Sequence, residues 1–235
     1  MTSSIPTGAT EPSDVAGRTV LIAGATSASG LAATRALIAA GARVVATGRD
    51  PGRLAPLAEL GAQTEALDLT DEDAVAALAH RLRGDRRRDG PAVDGLLHLV
   101  GGWRGGGGLA GQAEADYRAL ETSFTALRHV TRAFDEDLRE SPAGRLAVVS
   151  STAVARPLAG GANYAAVKAA TEAWTRAVAQ GYAKTARDAG EPLHAAAVIY
   201  RVKALAGLED RLAAAVVGLW SADAATLNDT TADLT

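Results

Sequence analysis

The chain has 235 residues, with 24 Lys and Arg against 27 Asp and Glu and a formal net charge of −3. That length suits one large α/β domain with a substantial core, and the charge leaves no electrostatic footprint for nucleic acid or an anionic membrane. The absence of cysteine excludes disulfides, thiolate metal sites and a cysteine nucleophile.

In chain order, residues 1–16 are polar, rich in Ser, Thr, Pro and Gly, and lack the apolar stretch of a signal peptide; a disordered tail is expected there. Residues 17–235 then read as one domain. Thr19 to Ala23 is a short apolar, β-rich run, hence a buried strand. Gly24-Ala25-Thr26-Ser27-Ala28-Ser29-Gly30 is a small-residue turn, and Leu31 to Ala40 has helical composition. Arg43 to Thr47 and Thr64 to Leu67 are the next strands, and Thr70-Asp71-Glu72-Asp73 forms a capping box for a helix reaching about Leu82. Arg81 to Arg88 is a basic run read as a solvated helix end and loop, with phosphate binding as the lesser alternative.

Gly95 to Val100 is a fourth strand, Gln112 to about Leu138 a long helix, and Arg145 to Ser150 a fifth strand. Asn163 to about Arg187 is a second long helix, Leu193 to Tyr200 a sixth strand, Leu208 to Trp220 a helix and Thr231 to Leu234 a last strand. Alternating strands and helices imply a single doubly wound parallel sheet, Rossmann-like and seven-stranded, with helices on both faces. His80, His98, His129 and His194 show no metal-ligand spacing and read as structural. Nothing approaches the roughly 20 apolar residues of a membrane span, so a soluble, cytoplasmic protein is expected.

Two local patterns carry chemistry. Strand, small-residue turn and helix, in that order, form the context of a dinucleotide fingerprint. Small residues let the backbone approach a pyrophosphate, and the helix N-terminus offers free N–H groups; an ordinary tight turn would share the pattern. The second is Tyr164 and Lys168, spaced to lie one turn apart on one helix face. A cation beside a phenol favours the phenolate and lowers its pKa from about 10. Alone, that spacing is weak and commonly marks two solvated side chains.

Together these features resemble the short-chain dehydrogenase/reductase family, from about Gly17 to the C-terminus. That family opens with Thr-Gly-x-x-x-Gly-x-Gly; here Ala23-Gly24-Ala25-Thr26-Ser27-Ala28-Ser29-Gly30 keeps the first and last glycines and has Ala28 in the middle. Its catalytic tyrosine follows a serine by thirteen positions and precedes a lysine by four, as Ser151, Tyr164 and Lys168 do. The resemblance implies that Tyr164 is the proton donor, that Ser151 orients the substrate oxygen, and that Lys168 lowers the tyrosine pKa while holding the nicotinamide ribose. Gly24, Thr26, Ser27, Ser29 and Gly30, with Tyr164 and Lys168, are then cofactor contacts. Asp68 matches the family's adenine-contacting aspartate, with Leu69 beside it.

At the end of the second strand, Gly48 stands where NAD-binding folds place an acid, and Arg49 follows. Glycine removes repulsion of a 2′-phosphate and a guanidinium pairs with it, so NADP(H) is expected. The alternative is that Arg49 is only a surface residue and Asp50 restores NAD binding. His98-Leu99-Val100-Gly101 replaces the family's Asn-Asn-Ala-Gly, leaving Val100 and Gly101 to border the cofactor. The family's relay asparagine aligns near Ser123, a weaker holder of the relay water. Tyr200-Arg201-Val202-Lys203 replaces the family's Pro-Gly, and only a short link precedes the next helix, so the pocket is expected to be open on that side. The glycine-rich run around Trp103 and Arg104 is expected to be a mobile loop that contacts substrate, Trp103 by stacking and Arg104 by holding an anion; Tyr200 is a third candidate contact. The alternative is that Trp103 only anchors the loop.

The expected function is NADPH-dependent reduction of a carbonyl (ketone or imine) on a bulky small molecule. The alternatives are a binding or regulatory module on the same fold, and a non-redox catalyst of dehydration or cyclisation. In the family the two long helices pair with their mates across a two-fold axis, so the resemblance implies a homodimer or homotetramer; the apolar residues at helical spacing on them (Leu120, Phe124, Leu127, Val130 and Phe134; Val167, Ala170, Trp174 and Val178) suit packing on their own sheet equally.

Overall fold

The computed structural model describes residues 14–85 and 91–235; residues 1–13 of the expected tail and Arg86, Arg87 and Arg88 of the basic run lie outside them. Seven strands pair in the order β3-β2-β1-β4-β5-β6-β7, every neighbour parallel. They are β1 (Thr19–Ala23), β2 (Arg43–Gly48), β3 (Gln63–Ala66), β4 (Gly95–His98), β5 (Arg145–Ser151), β6 (Ala196–Val202) and β7 (Thr230–Asp233). The order reverses between β1 and β4. In a doubly wound sheet that reversal opens a crevice at the carboxyl ends of the strands, where ligands bind.

The helices are α1 (Ala28–Ala39), α2 (Pro51–Glu59), α3 (Glu72–Asp85), α4 (Glu114–Glu140), α5 (Ala162–Ala189), α6 (Glu209–Val217) and α7 (Ala224–Leu227). Each central strand is buried on both faces, as β-branched and leucine-rich runs require in a sheet covered twice. One core lies beneath α1 and α6 and includes Ile22, Leu37, Leu97, Leu212 and Trp220. The other lies beneath α3, α4 and α5 and includes Leu21, Leu78, Leu127, Phe134 and Ile199. On α4, Leu120, Leu127, Val130 and Phe134 therefore face their own sheet, while Phe124 and Trp174 meet edge-on between α4 and α5 with ring centroids 6.1 Å apart.

Several details depart from the sequence reading. Val15 is fully buried in the first core, so the ordered chain starts inside the expected tail. Helix α2 was not foreseen. Asp50 caps it by accepting the Gly52 N–H at 2.8 Å and Pro51 occupies its first turn, a strong start signal masked by Gly52 and Pro56. The helix after β3 is capped by Asp71, which accepts the Ala74 N–H at 3.0 Å. Strand β4 ends at His98 and not at Val100, because Gly101 takes φ +149° and turns the chain out of the sheet.

Candidate active site

The crevice is assembled from the carboxyl ends of β1, β2, β4, β5 and β6. The β1–α1 turn supplies its floor. Gly24 sits at φ +83°, and a Cβ there would lie 2.9 Å from the Val100 backbone nitrogen. A Cβ on Gly30 would lie 2.1 Å from the Ala25 carbonyl oxygen, so both positions are closed to any larger residue. Ser27 caps α1, its Oγ accepting the Gly30 N–H at 3.1 Å. Ser27 lines the cleft and α1 begins directly after it, so the positive end of the helix dipole lies next to the cleft.

Gly24, Thr26, Ser27, Gly48, Arg49, Asp68, Leu69, Val100 and Gly101 all line one cleft, as expected from the sequence. Ser29 and Gly30 do not; Ser29 is buried, and Gly30 serves the packing of α1 against the turn. Asp68 Oδ1 accepts both the Thr70 N–H (2.9 Å) and the Thr70 hydroxyl (2.8 Å), which hold its carboxyl below the ordinary carboxylate range. Arg53 also lines this cleft and donates to the Thr26 carbonyl at 3.0 Å. It lies on the unforeseen α2, which is why sequence reasoning missed a second guanidinium beside Arg49. A Cβ on Gly48 would come 2.6 Å from the Thr26 methyl, so glycine here answers to packing as well as charge.

The second half of the crevice holds Tyr164, Lys168 and the serine pair. Lys168 and Tyr164 share a face of α5, with Nζ 5.9 Å from the tyrosine ring centroid. Lys168 is buried, donates to the Val149 carbonyl at 2.8 Å and has its pKa pushed down to about 8, chiefly by desolvation, with the Glu172 carboxylate opposing the shift. Glu172 is itself buried. It accepts from Ser150 Oγ (2.8 Å) and takes two bonds from the Arg201 guanidinium (2.7 and 2.6 Å). The adjacent serine pair thus divides its labour: Ser150 anchors Glu172, and Ser151 accepts the Ala153 N–H at 3.1 Å, leaving its own proton free to donate. Ser151 and Tyr164 line one cavity of about 640 Å3.

Ser123 lies beside Gly101 at the base of this half, but its hydroxyl proton goes to the Leu120 carbonyl (2.7 Å) and its own carbonyl accepts from His98 Nε2 (3.1 Å). The expected water-holding hydroxyl is therefore already engaged. His98 is buried, its Nδ1 has no partner among the described residues, and burial together with the charge of Lys168 pushes its pKa down to about 3. A neutral folded imidazole against an unfolded value near 6.5 means the unfolded chain binds the extra proton. Stability should accordingly fall as pH drops from about 6.5 toward about 3. His98→Asn should flatten that part of a stability-versus-pH curve measured by chemical denaturation, whereas an unchanged slope would show that His98 is not its source.

Of the three expected substrate contacts, only Trp103 lines the cavities; it is 66% exposed. Arg104 lies outside them and pairs with Asp116 at 3.9 Å. Tyr200 is in the core, its hydroxyl donating to the Ala215 carbonyl (3.1 Å) and its pKa pushed up to about 12 by burial. The period-two alternation of β6 turns Tyr200 toward α6. The glycine-rich loop, expected to be mobile, is fastened by Gln112, expected from the sequence to open the long helix but lying just before α4. Its Nε2 donates to the carbonyls of Gly106, Gly108 and Gly160 (3.1, 3.2 and 3.0 Å), and its Oε1 accepts the Asn163 N–H at 3.1 Å.

Residues 18–186 match the family model described as short chain dehydrogenase. The chain belongs to that family. Its members are oxidoreductases that use nicotinamide cofactors. Over 171 residues, 71% of this chain and 68% of the relative, it is 33% identical to nodulation protein G of Rhizobium meliloti. It is 41% identical over 105 residues to a Streptomyces protein that bears the name of a daunorubicin C-13 ketoreductase; that match spans 43% of this chain and 37% of the relative. Among solved structures, a metagenomic short-chain oxidoreductase in complex with NADP superposes with a TM-score of 0.77 at 25% identity, covering 95% of this chain and all of the other. Among the described residues no helix is long and apolar enough to cross a membrane.

Proposed function

We propose that this short-chain dehydrogenase is an NADPH-dependent reductase of a ketone, or of an imine, carried by a bulky small molecule. The observation that carries the reading is Tyr164 at the junction of two adjoining cavities, one lined also by Ser151 and the other by Lys168, the second sharing Leu99, Val100 and Gly101 with the glycine-lined cleft. The cleft suits a dinucleotide: Gly24 leaves no room for a side chain on its wall, and Lys168 lies buried beside Gly101. Gly24, Ser27, Asp68, Leu69, Val100 and Gly101 would hold the cofactor along the cleft, with Arg49 and Arg53 at the 2′-phosphate and Lys168 at the nicotinamide end. When bound, NADPH supplies the hydride.

The rest of the chemistry belongs to the chain. Ser151 donates a hydrogen bond to the carbonyl oxygen and fixes its position; Tyr164 delivers the proton to that oxygen as charge develops on it. Lys168 favours the phenolate left behind, and Glu172 keeps the ammonium charged. Bound NADP in a related structure and the ketoreductase name of the Streptomyces relative support the reading. The short link from Lys203 to Leu208 and the exposed Trp103 favour polycyclic carbonyls over compact ones. The protein is further inferred to act in the cytoplasm as a homodimer or homotetramer.

Titration of NADPH and NADH by fluorescence, together with turnover on a polycyclic and an aliphatic ketone, tests the proposal. NADPH should bind at least tenfold more tightly, a difference of about 1.4 kcal/mol. Arg49→Ala with Arg53→Ala should narrow the gap, and Trp103→Ala should reduce the preference for the polycyclic ketone. A preference for NADH overturns the cofactor assignment, and absence of any nucleotide binding would favour a non-catalytic module. Gly48→Asp is a poor single test, because its Cβ must displace Thr26.

A further inference from the structure

We infer that the substrate carries an anionic group, a carboxylate or a phosphate, that is held by Arg156 and Lys203 at the rim of the catalytic cavity; this rests on the reductase reading and names its substrate class. Both side chains line the cavity that contains Ser151 and Tyr164, Arg156 from the segment after β5 and Lys203 from the segment after β6. Lys203 also lines the adjoining cavity around Lys168. Neither makes an ion pair or a side-chain hydrogen bond among the described residues, whereas Arg104, the cation expected here from the sequence, is engaged by Asp116.

No Asp or Glu lines either cavity, although acidic residues outnumber basic ones in the chain. Two unengaged cations over an acid-free cavity in an otherwise acidic protein form a local positive field, and low-dielectric cavity walls concentrate it. The same rim exposes Trp103 and Leu158, 66% and 73% accessible. Charge and apolar surface together fit a molecule with a flat ring system, a reducible carbonyl and an acid group beyond it. Because the cations are themselves exposed, the attraction is of the salt-sensitive kind.

The test compares 6-acetyl-2-naphthoate with its methyl ester, which share ring and ketone and differ in charge. Binding is measured by calorimetry on the NADPH-saturated Tyr164→Phe protein, so that the readout does not depend on turnover. The acid should bind about fivefold more tightly than the ester at low salt, with the advantage mostly lost at about 0.5 M salt. In the Arg156→Gln, Lys203→Gln double variant the acid-to-ester ratio should fall toward one. Equal affinity for the two probes, a ratio that survives both substitutions, or no binding of either probe at millimolar concentration overturns the inference. Turnover by the parent protein is scored separately. Preferential binding of the acid without reduction of either probe would keep the anion site and remove the reductase, while equal binding with reduction of both would do the reverse.

Discussion

Replacing Tyr164 with phenylalanine should lower kcat by about a hundredfold to ten-thousandfold, the usual contribution of a positioned general acid. The phenol lines the cavity beside the Ser151 hydroxyl, whose proposed part is to orient the oxygen, and three further acid–base candidates nearby are engaged or neutral. Ser150 is bonded to Glu172, Ser123 to its own helix, and His98 is buried and neutral. The ring itself stays, so the face of α5 that flanks the cleft keeps its shape. NADPH affinity should therefore change by no more than a few fold, which separates lost chemistry from lost binding. Stopped-flow measurement of NADPH oxidation with a reducible ketone gives the rate. A variant within about tenfold of the parent would remove Tyr164 from the mechanism.

Glu172→Leu should cause the largest loss of stability. The carboxylate is buried and binds Ser150 and Arg201, with Arg176 3.5 Å away. Removing one member of a buried ionic network leaves its partners uncompensated, at a cost of about 3 kcal/mol. For a chain of this size that corresponds to a Tm lowered by roughly 6 to 12 °C. The same change strips Lys168 of the carboxylate that supports its charge, so its pKa should fall further below about 8. Activity at neutral pH should drop as well as stability. Differential scanning calorimetry decides the first part: a Tm within about 2 °C of the parent would mean that the network contributes little. Adding Arg201→Leu should recover part of the loss, because the stranded guanidinium then disappears with its partner.

Much of the fold was legible because its signals are local and reinforce one another. Thr19 to Ala23 could hardly be anything but a buried strand, and the strand–turn–helix context marks Gly24 as the tight point of the turn, where it takes φ +83°. The spacing of Ser151, Tyr164 and Lys168 likewise reports one helix and the strand before it. What escaped detection depends on relations between distant segments. Arg53 reaches the cleft only because α2 folds back across Thr26. Gln112 acquires its role from the Gly160 carbonyl and the Asn163 N–H, each some fifty residues away. Tyr200 was misplaced because a strand residue near the sheet's carboxyl edge can face either layer, and one step of register decides which. Arg104 and Arg156 look equivalent in sequence, and only the position of Asp116 separates the engaged cation from the unengaged one.

The fastening at Gln112 bears on how such a protein acquires new substrates. One carboxamide ties a stretch of almost bare backbone to the start of α5, one residue before Tyr164. Cavity shape on that side is therefore set by main-chain hydrogen bonds, and few side chains there are needed to maintain it. Substitutions at Trp103 or Leu158 can reshape the rim while Tyr164 stays where it was. The arrangement separates the rim of the cavity from the helix beneath it, so drift in one need not disturb the other.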